Sequence, residues 1–492
     1  MRSSRWAVLA VLCASLLLVA MDATILNVAL PSLVDDLAPD AIEQLWIIDV
    51  YGLILGGLLL TSGAAGDRWG RKLMFMAGIA VFGVASIMAA TSQSTEQLIG
   101  GRVLLAIGGA MIMPSTLSLL RNVFTNPRER TVAIGIWASV AGAGAAIGPV
   151  LGGFLVQKYS WSAAFWVNVP IVAAALIAGW LILPESKAPG EHGIDWFDAA
   201  LSIVGMITLV WGLKHIFKDG VFSPAPLALL VGAGILWWFF RRQKRLADPM
   251  LDVRLFSNRP FRAAAIAILT AMMAIGAALF LLTLWLQYVE EYSPMQAGVR
   301  MLPAAIALLL GALSAERLIR VVGVKAVLGV GLGGLALAFA ALAVFPLSYP
   351  LVAIALVAFG LGDGLAITAS TSVMISAAPP ERAGMAAAVE ETCYELGIGL
   401  GVAFLGTVAA TAYSYGLGTL DLPEPQASTV DESIGGAFEV SQEFGTHVMD
   451  RAKLAFVESL TFTSAASAIL VAVAMFVALR LIPRGFKADA GH

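Results

Sequence analysis

The chain has 492 residues, 59% of them hydrophobic and 13% charged, with a mean hydropathy of +0.87 and a net charge of −3. So apolar a composition excludes an ordinary soluble domain, and the slight negative charge excludes a nucleic-acid partner. Continuous apolar runs of about 18 residues or more recur along the chain, each long enough to cross ~30 Å of hydrocarbon as a helix, which also excludes a barrel of short alternating strands.

In chain order, the hydropathy breaks predict an all-α integral membrane protein with fourteen spans, near 6–30, 41–64, 73–91, 98–119, 131–156, 161–183, 197–217, 225–241, 262–289, 297–315, 324–345, 350–377, 383–413 and 456–482. The first is read as a span and not as a secretory signal. Arg2 and Arg5 precede it and VAMDA resembles a cleavage site, but the run from Trp6 to Leu30 is too long for a signal core. Cys13 and Cys393 both fall in predicted spans, so no disulfide framework is implied.

Most of the 30 Lys and Arg residues fall on one side of this topology, from Arg68, Arg71 and Lys72 to the group between Arg241 and Arg262 and on to Arg480. Acids such as Asp35, Asp36, Glu290 and Glu291 fall on the other. The positive-inside rule then puts both termini in the cytoplasm and requires an even number of spans. The polar segment 414–453 is the longest loop and is expected outside. VDESIGGAFEVSQEF within it reads as a short amphipathic helix, and the loop as a solvated cap or a gate over an exit path.

An internal repeat is visible: AIGGAMIMPSTLSLLRNVFTNPRER from Ala106 aligns without gaps on AFGLGDGLAITASTSVMISAAPPER from Ala358. Asp67-Arg68 has a degenerate counterpart in Glu316-Arg317. Parallel repeats imply two six-helix bundles related by an axis along the membrane normal. The expected division is an N-terminal bundle over 1–183, an inserted helix pair with its linkers over 184–261, and a C-terminal bundle over 262–492.

Three motifs stand out. GAAGDRWGRK joins a small-residue helix end to a tight basic turn through Gly63, Asp67, Arg68, Gly70, Arg71 and Lys72. AGAGAAIGPVLGG places Gly144, Gly148, Gly152 and Gly153 around Pro149; it misses the dinucleotide-binding glycine pattern and follows no strand. MDATILNVALP, WIIDVY and WSAAFWVNVP add acids and aromatics within or near spans one, two and six.

With these residues the sequence resembles the major facilitator superfamily, and within it the fourteen-span drug:proton antiporters that export quaternary ammonium compounds and dyes. The resemblance covers essentially the whole chain. It implies that Asp67 is a conformational latch and that the motif ending at Gly153 marks an exporter. Some exporters of that family carry an acid in span ten associated with divalent cations. Residues 297–315 hold none, which argues against bis-cationic substrates.

Asp22, Asp49, Arg102, Asp363, Glu390, Glu391 and Glu395 all fall inside predicted spans, where a charge costs roughly 2.5–3.5 kcal/mol and is functional by default. Glu391 and Glu395 share a helix face, with Glu390 turned about 100° away. Two ionised carboxylates so close repel in a low dielectric, so the pair can take up and release a proton. These seven are the candidate proton-coupling and cation-binding residues, with Arg102 also readable as the structural partner of Asp22. Trp137, Tyr51 and Met111 are candidate pocket lining, since rings and thioethers suit a lipophilic cation. Trp285 and Tyr288 read as interfacial anchors.

The expected function is proton-coupled export of lipophilic, mainly monovalent cations by alternating access in a bacterial cytoplasmic membrane. The expected partners are those cations, protons and the bilayer, the chain is expected to be a monomer, and no metal or other cofactor is called for. Export of a metabolite, lipid or self-made antibiotic is the alternative. A membrane enzyme is disfavoured because His192, His215, His447 and His492 lie at loops or ends, with no nucleophile and base at motif spacing.

Overall fold

Backbone groups in hydrocarbon have no water to bond, so an apolar chain of this length must satisfy them within helices. The computed structural model describes residues 5–185, 196–219, 222–246, 249, 251–378, 383–418, 422–423, 425–483 and 485–486, and among these it contains helices and no strand. In order they are α1 (Arg5–Leu37), α2 (Ala41–Trp69), α3 (Arg71–Ala90), α4 (Thr95–Val123), α5 (Pro127–Lys158), α6 (Ala163–Trp166), α7 (Asn168–Ile182), α8 (Trp196–Asp219) and α9 (Ala225–Gln243). They continue with α10 (Arg259–Leu284), α11 (Pro294–Val322), α12 (Val324–Val344), α13 (Tyr349–Ala377), α14 (Ala383–Leu417), α15 (Gln426–Glu432), α16 (Ile434–Phe444) and α17 (Thr446–Leu481).

Thirteen stretches among the described residues are long and apolar enough to cross a membrane, and α5, with 32 residues, fills the place expected for the fifth span. The short α6 and α7 together occupy the sixth. Helices overrun the hydropathy limits because their polar ends continue past the apolar segment. α17 starts at Thr446, ten residues before the expected limit and inside the expected loop, at Gly445 with φ 97°. The expected amphipathic helix is two helices, broken at Ser433, whose side chain caps α16 by accepting from the Gly436 amide.

The sequence repeat recurs in the packing. In the first half α1 packs on α5, α3 on α4 and α2 on α4; in the second, α10 packs on α14, α12 on α13 and α11 on α13. The halves meet along two seams, α2 against α14 and α5 against α11. The inserted α8 and α9 pair with each other, and α8 lies along α2 and α14. Most of the buried apolar residues belong to one continuous core running through both halves.

The repeat's register is set by glycine. Gly70 (φ 116°) ends α2 and opens α3, and Gly323 (φ 86°) does the same between α11 and α12. Two residues on, Lys72 Nζ donates to the Trp180 carbonyl at 3.1 Å and Lys325 Nζ to the Ile482 carbonyl at 2.7 Å, each bonding a carbonyl at the end of the last span of its own half. Aligned on these glycines, Asp67 corresponds to Arg320, which corrects the expected match to Glu316. The Glu316 carboxylate instead faces Arg320 one turn on, at 3.7 Å.

Candidate functional site

The buried charges divide between the halves. In the first half, α1 carries Asp22 at the centre of a polar knot. Arg102 Nη1 on α4 stands 2.6 Å from Asp22 Oδ2, and Arg102 Nε donates to the Ile47 carbonyl at 3.1 Å. Asn168 Nδ2, at the start of α7, lies 3.4 Å from the other Asp22 oxygen and 3.2 Å from Ser86 Oγ. The guanidinium lies over the Tyr51 ring, 4.4 Å from its centroid, and the Tyr51 hydroxyl donates to the Val19 carbonyl at 3.4 Å. Asp22 and Arg102 are both buried. Asn168 was missed in the sequence; its place in WSAAFWVNVP was the available signal.

Asp49 on α2 is also buried, and its partner is Lys214 on α8, 2.9 Å from Asp49 Oδ2. The sequence reading missed Lys214 because it lies three residues from the expected end of its span, where a lysine is ordinarily taken to snorkel.

The second half holds the acids without a base. Glu390, Glu391 and Glu395 follow one another on α14, and Asp363 sits on α13 between two glycines that pack on neighbouring helices, Gly362 on α12 and Gly364 on α11. Asp363 and Glu395 are buried, and Glu390 and Glu391 are half-buried. Among the described residues none of the four is ion-paired, and Asp363 Oδ1 has no hydrogen-bond partner. Thr371 Oγ1 lies 2.5 Å from Glu390 Oε1. Glu395 faces the first half: a Cβ on Gly52 of α2 would come within 3.1 Å of the Glu395 carbonyl and 3.8 Å of its Oε2.

Glycines close the seams on which this cluster sits. Gly144, Gly148 and Gly152 lie four apart on one face of α5 and rest on Ala20, Thr24 and Ile25 of α1. Gly153 turns to α11, against the backbone of Pro294 and Met295, while Gly298 of α11 rests reciprocally on the Pro149 carbonyl. The motif around Pro149 therefore packs one half together and touches the other. On the second seam Gly52 and Gly56 of α2 meet Glu395 and Leu396 of α14, and Gly399 meets Leu53.

The remaining candidates are dispersed. Gly63 packs near Pro114 of α4; Arg68 is exposed, Arg71 is half-buried, and Lys72 makes the tie described above. The side chain of Asp67 lies outside the described ones. Trp137 Nε1 donates to Thr116 Oγ1 at 3.1 Å, joining α5 to α4. Tyr51 is held by Arg102, and Met111 packs on Gly78 of α3. Trp285 and Tyr288 are corrected from anchors to core. Both are buried in a π-helical turn, with the Tyr288 hydroxyl 3.5 Å from the Pro31 carbonyl and its ring against Phe438 of α16.

No group of three or more metal-ligating side chains occurs among the described residues. What the arrangement offers is two acids of the first half neutralised by buried bases, Asp22 by Arg102 and Asp49 by Lys214 of the inserted pair, and four acids of the second half without an ion pair among the described residues.

Residues 12–402 match the family model described as Major Facilitator Superfamily. The chain is 38% identical over 482 residues to the multidrug efflux pump LfrA of Mycolicibacterium smegmatis, covering 96% of this chain and 95% of that protein. It is 35% identical over 490 residues to the methyl viologen resistance protein SmvA of Salmonella typhimurium, covering 96% and 98%. Its fold is shared with the crystal structure of a bacterial homologue of the human lysosomal transporter Spinster, in an inward-facing and unoccupied conformation. The TM-score there is 0.69 at 17% identity, with 97% of each chain covered.

Proposed function

We propose, from the premise that this chain belongs to the major facilitator superfamily and is a transporter, not an enzyme, that it exports lipophilic, mainly monovalent cations in exchange for protons. Quaternary ammonium compounds and dyes are the substrate class. The setting is a bacterial cytoplasmic membrane, with both termini on the cytoplasmic side. The energy source is the proton gradient, and no other cofactor is involved.

One observation carries this reading: Asp363, Glu390, Glu391 and Glu395 have no basic partner among the described residues, whereas Asp22 and Asp49 do. An ionised carboxylate without a counter-charge is costly in this setting. Each of the four therefore calls for a proton or a cation, and a site that must hold one or the other is an exchanger. The names of the relatives support export of organic cations, one being a multidrug efflux pump and the other conferring resistance to methyl viologen, an organic dication, so the preference for a single charge rests on this chain's residues alone.

Alternating access needs two bodies that part along a seam. The glycine contacts of α5 with α11 and of α2 with α14 bring backbones close without interlocking long side chains, which suits surfaces that separate and re-form. In this reading Asp67 latches one of the two states.

Purified protein reconstituted in liposomes with an internal pH dye tests the reading. Ethidium and benzalkonium are expected to trigger proton movement, and neutral or anionic compounds are not. Silence toward the cations with a response to a neutral or anionic compound would move the reading to a metabolite exporter.

A further inference from the structure

Lys214 and Asp49 form a pair that stability alone does not explain. Both side chains are wholly buried, the ammonium 2.9 Å from Asp49 Oδ2 and 3.9 Å from the centroid of the Trp46 ring. Apart from the ion pair itself, no hydrogen bond from any other described residue reaches either Asp49 oxygen or the Lys214 ammonium. A buried ion pair repays its desolvation only when further hydrogen bonds satisfy the remaining lone pairs and protons, and here they do not.

The surroundings are those of a cation site. A carboxylate and an indole face on α2, three residues apart and so on one side of the helix, hold an ammonium between them. That ammonium is delivered by α8, which lies outside both repeats and runs along the seam between α2 and α14. Leu53 of α2, Val210 of α8 and Ala403 of α14 form a small apolar cluster there, and Gly57 of α2 faces Ile203 of α8. The cage thus sits on a surface that has to part in alternating access, close to Glu395, whose own backbone packs on Gly52 one turn along α2.

We propose that Lys214 is a specificity-determining residue: a cation built into the inserted helix pair that occupies the Asp49–Trp46 cage in place of substrate charge. The inference rests on the cation-export reading. With Lys214 in place the acids open to substrate are those of the second half, and a substrate with one positive charge matches them. Without it, Asp49 joins them as a further carboxylate at the seam, and a second positive charge on the substrate gains a partner.

The test uses the full chain in proteoliposomes with an internal pH dye. Ethidium serves as the monocation and methyl viologen as the dication, and the readout is the ratio of their apparent KM values. Lys214→Met is expected to lower the dication's KM relative to the monocation's on the order of tenfold, the effect of one more charge at roughly 10 Å with an effective dielectric near 20. Lys214→Arg is expected to keep the parent's ratio, and Lys214→Met with Asp49→Asn to return to it. An unmoved ratio in a Lys214→Met protein that still responds to ethidium would overturn the proposal.

If Lys214→Met does not fold, Asp49→Asn takes its place. It leaves an ammonium without counter-charge and is expected to shift the ratio about tenfold the other way, with the double variant again at the parent's value. Equal ratios in the single and double variants would overturn the proposal equally. A parent silent toward both cations fails the export reading itself, before any variant is compared, and the role of Lys214 falls with it.

Discussion

Arg102 Nη1 stands 2.6 Å from Asp22 Oδ2 inside the first half, and this contact sets Asp22 apart from the acids of the second half. The guanidinium is further held by the Ile47 carbonyl and the Tyr51 ring, so the pair ties α1, α2 and α4 together. Removing one partner leaves the other buried and alone. Asp22→Asn is expected to cost about 3–5 kcal/mol of stability, seen as a lowered Tm of the detergent-solubilised protein, and Asp22→Asn with Arg102→Met to recover most of it. A single variant as stable as the parent would contradict this role.

The acids of the second half are expected to behave in the opposite way. Neutral isosteres relieve an uncompensated buried carboxylate. Glu395→Gln and Asp363→Asn should therefore leave Tm unchanged or raised by up to about 2 kcal/mol equivalent, while cation-triggered proton release is lost. Loss of Tm together with transport would mean these acids serve packing instead.

Ser293 Oγ and Gln157 Oε1 lie 3.5 Å apart, beside the reciprocal approach of Gly153 and Gly298. In a background without Cys13 and Cys393, Gln157→Cys with Ser293→Cys is expected to be bridged by a short bismaleimide that contains a reducible disulfide, which holds this end of the α5–α11 seam shut. Transport should stop on cross-linking and return on reduction. Unimpaired transport with the bridge quantitatively formed would show that this end need not open.

A tie of the loop after α10 to α17 is made by Glu291 and Lys453. The hydrogen bond and charge of the Lys453 ammonium hold the exposed Glu291 carboxyl below its ordinary value. The contribution is therefore complete above the ordinary carboxylate range and fades as pH falls through the lowered value. Glu291→Gln should differ only slightly from the parent in Tm at pH 7, because exposure and salt keep such pairs weak, and the difference should shrink as the pH is taken below the ordinary carboxylate range. A difference that persists in acid would assign it to packing.

Much of this was legible in the sequence, and the limits have physical causes. Hydropathy reports where hydrocarbon ends, so it located the long apolar helices and missed the polar extension from Thr446 to the start of the apolar run in α17. Cost of burial flagged Asp22, Asp49, Asp363 and the three glutamates as a class. It offered Arg102 as a partner for Asp22 but gave Asp49 none, because Lys214 lies on another span and its pairing is a fact of packing. Lys214 itself carries the same cost but sits near a predicted helix end, where its long stem ordinarily reaches water. The repeat was visible, yet its register at the basic turn was misjudged, since matching acids is weaker than matching Gly70 and Gly323, whose positive φ the turn requires. The spacing of the glycines around Pro149 fits one packing face of a helix. That Gly153 turns to the other half is a matter of helix rotation, which a single sequence leaves open.

The central claim is that a substrate cation displaces protons from the acids of α13 and α14. The most direct measurement is the number of protons released per ethidium bound, taken in weak buffer with a pH indicator on the detergent-solubilised protein. The parent is expected to release protons as ethidium binds, and a variant carrying Asp363→Asn, Glu390→Gln, Glu391→Gln and Glu395→Gln to release fewer or none. Equal release from both would contradict the account and move the exchange site out of the second half.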